Sequence, residues 1–204
     1  MAAPEKTLTR EAKRLQTRER LLGAAIAEFK RSGMVAADVG AIVAAAGVAH
    51  GTFFFHFPTK EHVLLELEHR EEERIAKQFR QFVRAGHDLE AVLNEVVRLV
   101  LALERRLGDL LFKDFLALHF SQTRPPTEGV DDHAVVIVLA EQIDAACQRG
   151  DIDPTVNAIN SSIFFLLGFY ALLITTNDWP SRDELLADYV GRTLRSMAPA
   201  PRRR

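Results

Sequence analysis

The chain has 204 residues, 48% of them hydrophobic and 26% charged, with a net charge of −2. That composition excludes a disordered chain and allows one or two packed domains. Cys147 is the only cysteine, which excludes an intrachain disulfide and suits a reducing cytoplasm, and the start Ala-Pro-Glu-Lys has no apolar run of the kind that directs secretion.

Helical periodicity dominates, and no segment alternates as a strand does. The first helix is expected over about 9–32, with Leu22, Ile26 and Phe29 on one stripe and Gly33 at its end. A short helix from Val39 to Ala46 follows, capped by Asp38, with Ile42, Val43 and Ala46 on one face. Gly47, backed by apolar Val48, supplies the left-handed residue that stops it. The next helix starts at once and is about two turns long. Thr59 caps a fourth, long helix from Lys60 to about Ala85, charged from Glu66 to Lys77. Gly86-His87-Asp88 breaks it, and a helix over 89–106 follows, with Val92, Val96, Leu99 and Val100 as its apolar face. Gly108 introduces an apolar segment through Phe120, and Thr123 to Gly129 is a Pro/Gly loop. A helix is expected from about Asp131 to Arg149, and another opened by Asp153-Pro154 and running to about Thr176. Trp179-Pro180-Ser181 separates it from a last helix, Arg182 to Met197, ahead of a tail expected to be disordered.

Two short helices joined by a glycine-containing turn form a helix-turn-helix, whose second helix enters the major groove of DNA. The charge agrees. Residues 1–60 hold nine Lys/Arg against five Asp/Glu, a net +4, so the remainder carries −6. A basic module on an acidic body fits a nucleic-acid reader joined to a part that should not adhere to DNA.

The motif Ala46-Gly47-Val48, then Gly51-Thr52-Phe53-Phe54-Phe55-His56-Phe57, then Lys60-Glu61, resembles the DNA-binding domain of the tetracycline-repressor (TetR) family. Upstream, Thr17-Arg18-Glu19-Arg20-Leu21-Leu22 and Ala24 to Phe29 resemble its first helix. The likeness spans roughly residues 14–66. It implies an all-α fold of about nine helices. The expected division is an arm and helix-turn-helix domain over 1–59, a ligand-binding and dimerisation domain over 60–198, and a tail over 199–204. It also implies a cytoplasmic homodimer on a palindromic double-stranded operator, acting as a repressor that a small, largely apolar effector releases.

By the same resemblance, DNA is met by Thr17, Arg18, Val39, His50, Gly51, Thr52, Phe54, Phe55, His56 and Lys60, with Thr52, His56 and Lys60 on the backbone. Gly51 lets the helix approach closely. Phe53 and Phe57 are expected to lock the short helix to the first helix. The chain departs from the family's pattern at four places: Phe54 where a Tyr is usual, Ala49 where a capping Ser is usual, Gly40 without a base-reading side chain, and His50 where a longer polar residue is common. Direct readout is left to His50, Thr52 and Phe55 on a thymine methyl, so backbone grip and DNA shape gain weight. Lys6, Arg10, Lys13 and Arg14 form an arm that could enter a minor groove.

In the body, the uncharged helix 156–176 and the helix 182–197 are expected to form a four-helix dimer interface through Ile163, Leu167, Tyr170, Leu173, Leu186, Val190 and Leu194. The uncharged stretch is too short for a membrane span and reads as a buried helix. The effector cavity is expected among Phe82, Leu103, Phe112, Phe115, His119 and Phe165, an apolar lining. No H-E-x-x-H, P-loop, G-x-S-x-G or Cys/His metal spacing occurs, so no catalytic residue, metal or cofactor is expected. Asp131-Asp132-His133 is compact, but it follows the Pro/Gly loop and reads as a helix cap. The alternative function is a helical protein-interaction adaptor with a degenerate helix-turn-helix.

Overall fold

The computed structural model describes residues 9–126 and 133–199. Among these it contains nine α-helices and no strand: α1 (Arg10–Ala36), α2 (Val39–Ala46), α3 (His50–His56), α4 (Lys60–Val83), α5 (Leu89–Leu107), α6 (Asp109–Ala117), α7 (Ala134–Arg149), α8 (Ala158–Thr175) and α9 (Arg182–Met197). A 3₁₀ turn, Leu118–Phe120, extends α6. The arm residue Lys6, the cap residues Asp131 and Asp132 and the tail beyond Pro199 lie outside the described residues.

Local chemistry sets the helix ends. Thr9 accepts from the Ala12 N–H and starts α1. Gly33 (φ 75°, ψ 160°) breaks its helical run three residues before its end, as the sequence led one to expect. Asp88 caps α5 by accepting from the Ala91 N–H at 2.8 Å. The start of α8 differs from expectation. Asp153 closes a turn of its own, accepting from the Thr155 N–H and hydroxyl, and it is Asn157 that caps α8 through the Asn160 N–H. An Asx residue before proline can serve either structure, and the second Asx four residues on took the cap.

The chain packs as two compact units, one of Met1–Glu66 with Leu107–Pro125, the other of Leu67–Arg106 with Pro126–Arg204. Packing therefore divides the chain inside α4 rather than at residues 59/60, and assigns α6 to the first unit. The reason is burial. α6 packs on α1, where Leu111, Phe112, Phe115 and Leu116 are buried, as are Val63 and Leu64 from the first two turns of α4. The Asp114 carboxylate accepts from the Met34 N–H at 2.5 Å, beside the Gly33 break.

In the second unit α7 packs on α8 and α8 on α9. α8 is the only single helix among the described residues long and apolar enough to cross a membrane, yet one of its faces is core: Phe165, Leu166, Phe169 and Leu173 are buried. Ion pairs fasten neighbouring helices here. Arg106 grips Glu71 with two bonds, one of 2.7 Å, and Arg182 reaches Glu104 at 2.7 Å. Tyr189 of α9 stacks on Phe165 and donates to the Phe165 carbonyl at 2.9 Å. Its hydroxyl occupies the space above Gly168, 2.3 Å from where a Cβ would stand. Gly168→Ala should therefore push α9 away and destabilise the protein by about 1–3 kcal/mol. Chemical denaturation checks this.

Candidate nucleic-acid interface

The first unit builds a helix-turn-helix from its smallest helices. Asp38 accepts from the Gly40 N–H at 2.8 Å and caps α2. A Cβ at residue 40 would stand 3.2 Å from that carboxylate, so Gly40 gives the cap room. Gly47 is left-handed (φ 63°, ψ 44°), and the Val48 N–H returns to the Val43 carbonyl, closing α2. The axes then bend by 95° into α3, within the range of helix-turn-helix motifs. Ile42, Val43 and Ala46 are buried on the inner face of α2.

α3 is seven residues long, and Ala49 at its start offers no side-chain cap. Phe53 and Phe57 are fully buried, each contributing about 1.5–3 kcal/mol. Arg18 completes the fixation. Its guanidinium donates to the His56 carbonyl at 2.6 Å and to Glu66 at 2.8 Å, and it lies 4.2 Å above the Phe57 ring. Expected as a DNA contact, Arg18 in this structure caps the C-terminus of α3 and ties it to α4.

The outer face of α3 is left bare. His50 and Gly51 are exposed, as are Phe54 (48%) and Phe55 (73%). Phe54 leans on His50 at 5.6 Å and meets Phe53 edge-on at 5.3 Å. A Cβ on Gly51 would meet nothing within 4 Å, so the protein's own packing does not require a glycine there. Thr52 and Val39 are half-buried. Phe55 and His56 line a cleft with Arg14, Leu15 and Arg18. Burial and the positive charges of Arg18 and Arg14 hold the His56 pKa below its ordinary value, so the ring is neutral at pH 7. Thr17 is half-buried on α1, one residue before the clamp.

Lys60 opens α4 against the helix dipole. Its ammonium donates to the carbonyls of Val35 (2.9 Å) and Ala37 (3.2 Å), two of its three N–H donors. It thus fastens α4 to the α1–α2 connection. Glu28 works at the same corner, accepting from Arg31, from the Ser32 hydroxyl and from the Asp38 N–H. Neither Glu28 nor the backbone bonds of Lys60 carried a sequence signal beyond ordinary surface charge.

The expected effector residues are divided between units. Phe112, Phe115 and His119 belong to the first, where both phenylalanines are buried, whereas Phe82, Leu103 and Phe165 belong to the second. Phe82 stacks on His87 at 4.0 Å, and Phe165 stacks between Phe169 and Tyr189. Leu103 lines a cleft with Ile75 and Leu99 below Glu71, Arg74, Gln78 and Arg106. Among the expected dimer residues, Leu167 is 39% exposed, whereas Leu173, Leu186 and Val190 are buried in the protomer's own core, no more than 4% exposed. They offer no free surface: Leu173 of α8 and Leu186 and Val190 of α9 are buried in a unit where α7 packs on α8 and α8 on α9. Ile163, Tyr170 and Leu194 are half-buried.

A helix-turn-helix with one locked and one bare face, carried on an all-helical body, defines a DNA-binding transcriptional regulator. Residues 21–67 match the family model described as bacterial regulatory proteins, tetR family. The chain is 25% identical over 159 residues to the HTH-type transcriptional regulator UidR of Escherichia coli K12, covering 77% of this chain and 80% of that protein. Its fold is that of Thermus thermophilus FadR, a TetR-family repressor solved with lauroyl-CoA (TM-score 0.67, 23% identity, 90% of this chain and 98% of that one). RolR, solved with resorcinol, gives a TM-score of 0.69 at 18% identity over 93% of this chain and 91% of its own. Over residues 21–67 the chain is thus similar to the DNA-binding domain of TetR-family regulators.

Two outcomes follow from the clamp. Arg18→Ala should lower stability by about 1–3 kcal/mol, by losing bonds to a charged group, and leave the salt slope of DNA binding unchanged; denaturation and binding titrations read the two effects separately. His56 titrates below 6.5 in the folded chain, so the unfolded chain takes up its proton first as pH falls. The stability His56 contributes is complete above pH 6.5 and is lost as pH falls through the folded pKa. In melting curves His56→Gln should flatten that acid-side decline.

Proposed function

We propose that this chain is a cytoplasmic homodimeric repressor that grips a palindromic operator with two copies of α3 and leaves it when a small, largely apolar effector binds the second unit. The observation that carries the DNA reading is the bare outer face of α3, on a helix whose inner face is fixed by Phe53, Phe57 and Arg18. A helix about 10 Å long binds weakly alone, and a two-fold dimer on paired half-sites doubles the contact. Few base-edge hydrogen bonds are available from this face, because Phe54 stands where a Tyr is usual, Phe55 is apolar and α2 has no polar side chain. Backbone contacts and groove shape then supply most of the recognition. Lys60 retains one N–H for a phosphate beyond its two carbonyl bonds.

The dimer face lies on the outer side of α8. Ile159 (37%), Phe164 (71%) and Leu167 (39%) are exposed there, and the helix carries no charged residue. An exposed apolar stripe of this kind is what a second copy covers. For the effector, the organic ligands of FadR and RolR support a small molecule, and the Ile75–Leu99–Leu103 cleft offers an apolar floor in the second unit.

Fluorescence titration with DNA from upstream of the gene tests the operator reading. Log affinity should fall linearly with log salt, and Lys60→Ala should reduce that slope by about one unit. No saturable binding to any upstream fragment would overturn it. For the dimer, Phe164→Glu should give a folded monomer by light scattering, because its side chain is exposed in the protomer. A wild-type monomer at micromolar concentration would refute the proposed architecture.

A further inference from the structure

One cluster in the second unit has metal-binding chemistry. Glu68 and Glu72 stand one turn apart on α4, and His133 stands immediately before α7. One ligand atom from each, two carboxylate oxygens and a ring nitrogen, lies within 4.8 Å of the others. His133 Nδ1 is 3.3 Å from a Glu72 oxygen. The site is sheltered: Glu68 is 1% exposed, and the Glu72 and His133 side chains are 13% and 27% exposed. His133 occupies the N-cap position of α7, yet its side chain makes no capping bond there and is turned towards Glu72. A phenol on α8 feels the same charges. The phenol of the half-buried Tyr170 has its pKa raised, by desolvation first and then by the charges of Glu72 and Glu68.

The three groups suit one kind of ligand. Two carboxylate oxygens and an imidazole nitrogen held this close form a donor set of the kind that a divalent cation takes. Ligands at about 2.0–2.2 Å from one ion stand no more than about 4.4 Å apart, so adjustments below 1 Å would close the set. Two oxygens and one imidazole nitrogen are a mixed donor set. Calcium and magnesium favour all-oxygen shells and copper(I) favours sulfur, whereas manganese, iron, cobalt, nickel and zinc accept such a mixture. A helical i, i+4 carboxylate pair fixes two ligands on one rigid element, and the third comes from the start of another helix.

We propose that Glu68, Glu72 and His133 form a binding site for a divalent transition-metal cation, with the Tyr170 hydroxyl beside it as a further ligand or as a partner to a bound water. The ion joins α4 to the start of α7. The proposal does not depend on the regulatory reading, because its test uses the metal alone and no DNA.

The untagged full-length chain, stripped with a chelator and dialysed, is titrated with zinc chloride by calorimetry and with cobalt chloride by visible absorption. One ion should bind per chain, with cobalt bands that report a nitrogen ligand and with a higher melting temperature. His133→Ala and Glu72→Gln should each weaken binding at least about tenfold, by analogy with losses on removing groups that support a metal. Tyr170→Phe should have a smaller effect. Metal-free melting curves show whether the variants remain folded. The proposal is overturned if neither ion binds the wild-type chain saturably, a result that needs no variant, or if a folded His133→Ala binds both ions as tightly as the wild type.

Discussion

A seven-residue helix without a capping side chain is not stable alone in water, since one turn costs more backbone entropy than its few hydrogen bonds return. α3 is such a helix, and everything this protein does on DNA requires it to hold one orientation. The constraint is met from outside. Phe53 and Phe57 anchor its inner face, and the Arg18 guanidinium seals its far end while stacking on Phe57 and reaching Glu66. One planar cation thus connects α1, α3 and α4. A lysine could not satisfy this position, because it lacks the flat fork that bonds in two directions while lying on a ring.

The same corner explains why the first unit is larger than a bare helix-turn-helix. α1 is too long to be covered by α2 and α3 alone, and α6 buries the rest of its apolar surface. Asp114 then fixes the chain just after the Gly33 break, where a backbone N–H would otherwise lack an intrahelical partner. Lys60 and Glu28 secure the α1–α2 connection from either side. Several charged side chains that resemble solvent contacts in the sequence are therefore fasteners of the reading head.

The second unit follows a different rule. Its helices are joined by apolar packing and by a few charged pairs near the surface, Arg106 with Glu71 and Arg182 with Glu104. α8 is apolar nearly all round, with one face in the core and the other exposed at Ile159, Phe164 and Leu167. A helix apolar all round is ordinarily buried on every side, so this exposed outer face departs from the rule. Close approach of α9 depends on Gly168, whose missing side chain admits the Tyr189 ring.

The sequence by itself determined whatever is local. Asp38, Gly47 and Asp88 announced helix ends through capping and the left-handed turn, and all three act as expected. The motif from Ala46 to Glu61 defined the helix-turn-helix and its likeness to TetR-family regulators, because its chemistry is confined to neighbouring residues. Tertiary structure decided what periodicity cannot encode: an apolar stripe shows that a face will be buried but not what will cover it. Leu173, Leu186 and Val190 thus proved to be the protomer's own core rather than a free interface. Arg18 became a clamp because Phe57, a helix terminus and Glu66, far away in sequence, meet at one point. The Glu68–Glu72–His133 cluster joins residues more than sixty positions apart. No motif can list such a set, since only the packing of α4 beside the start of α7 brings its donors together.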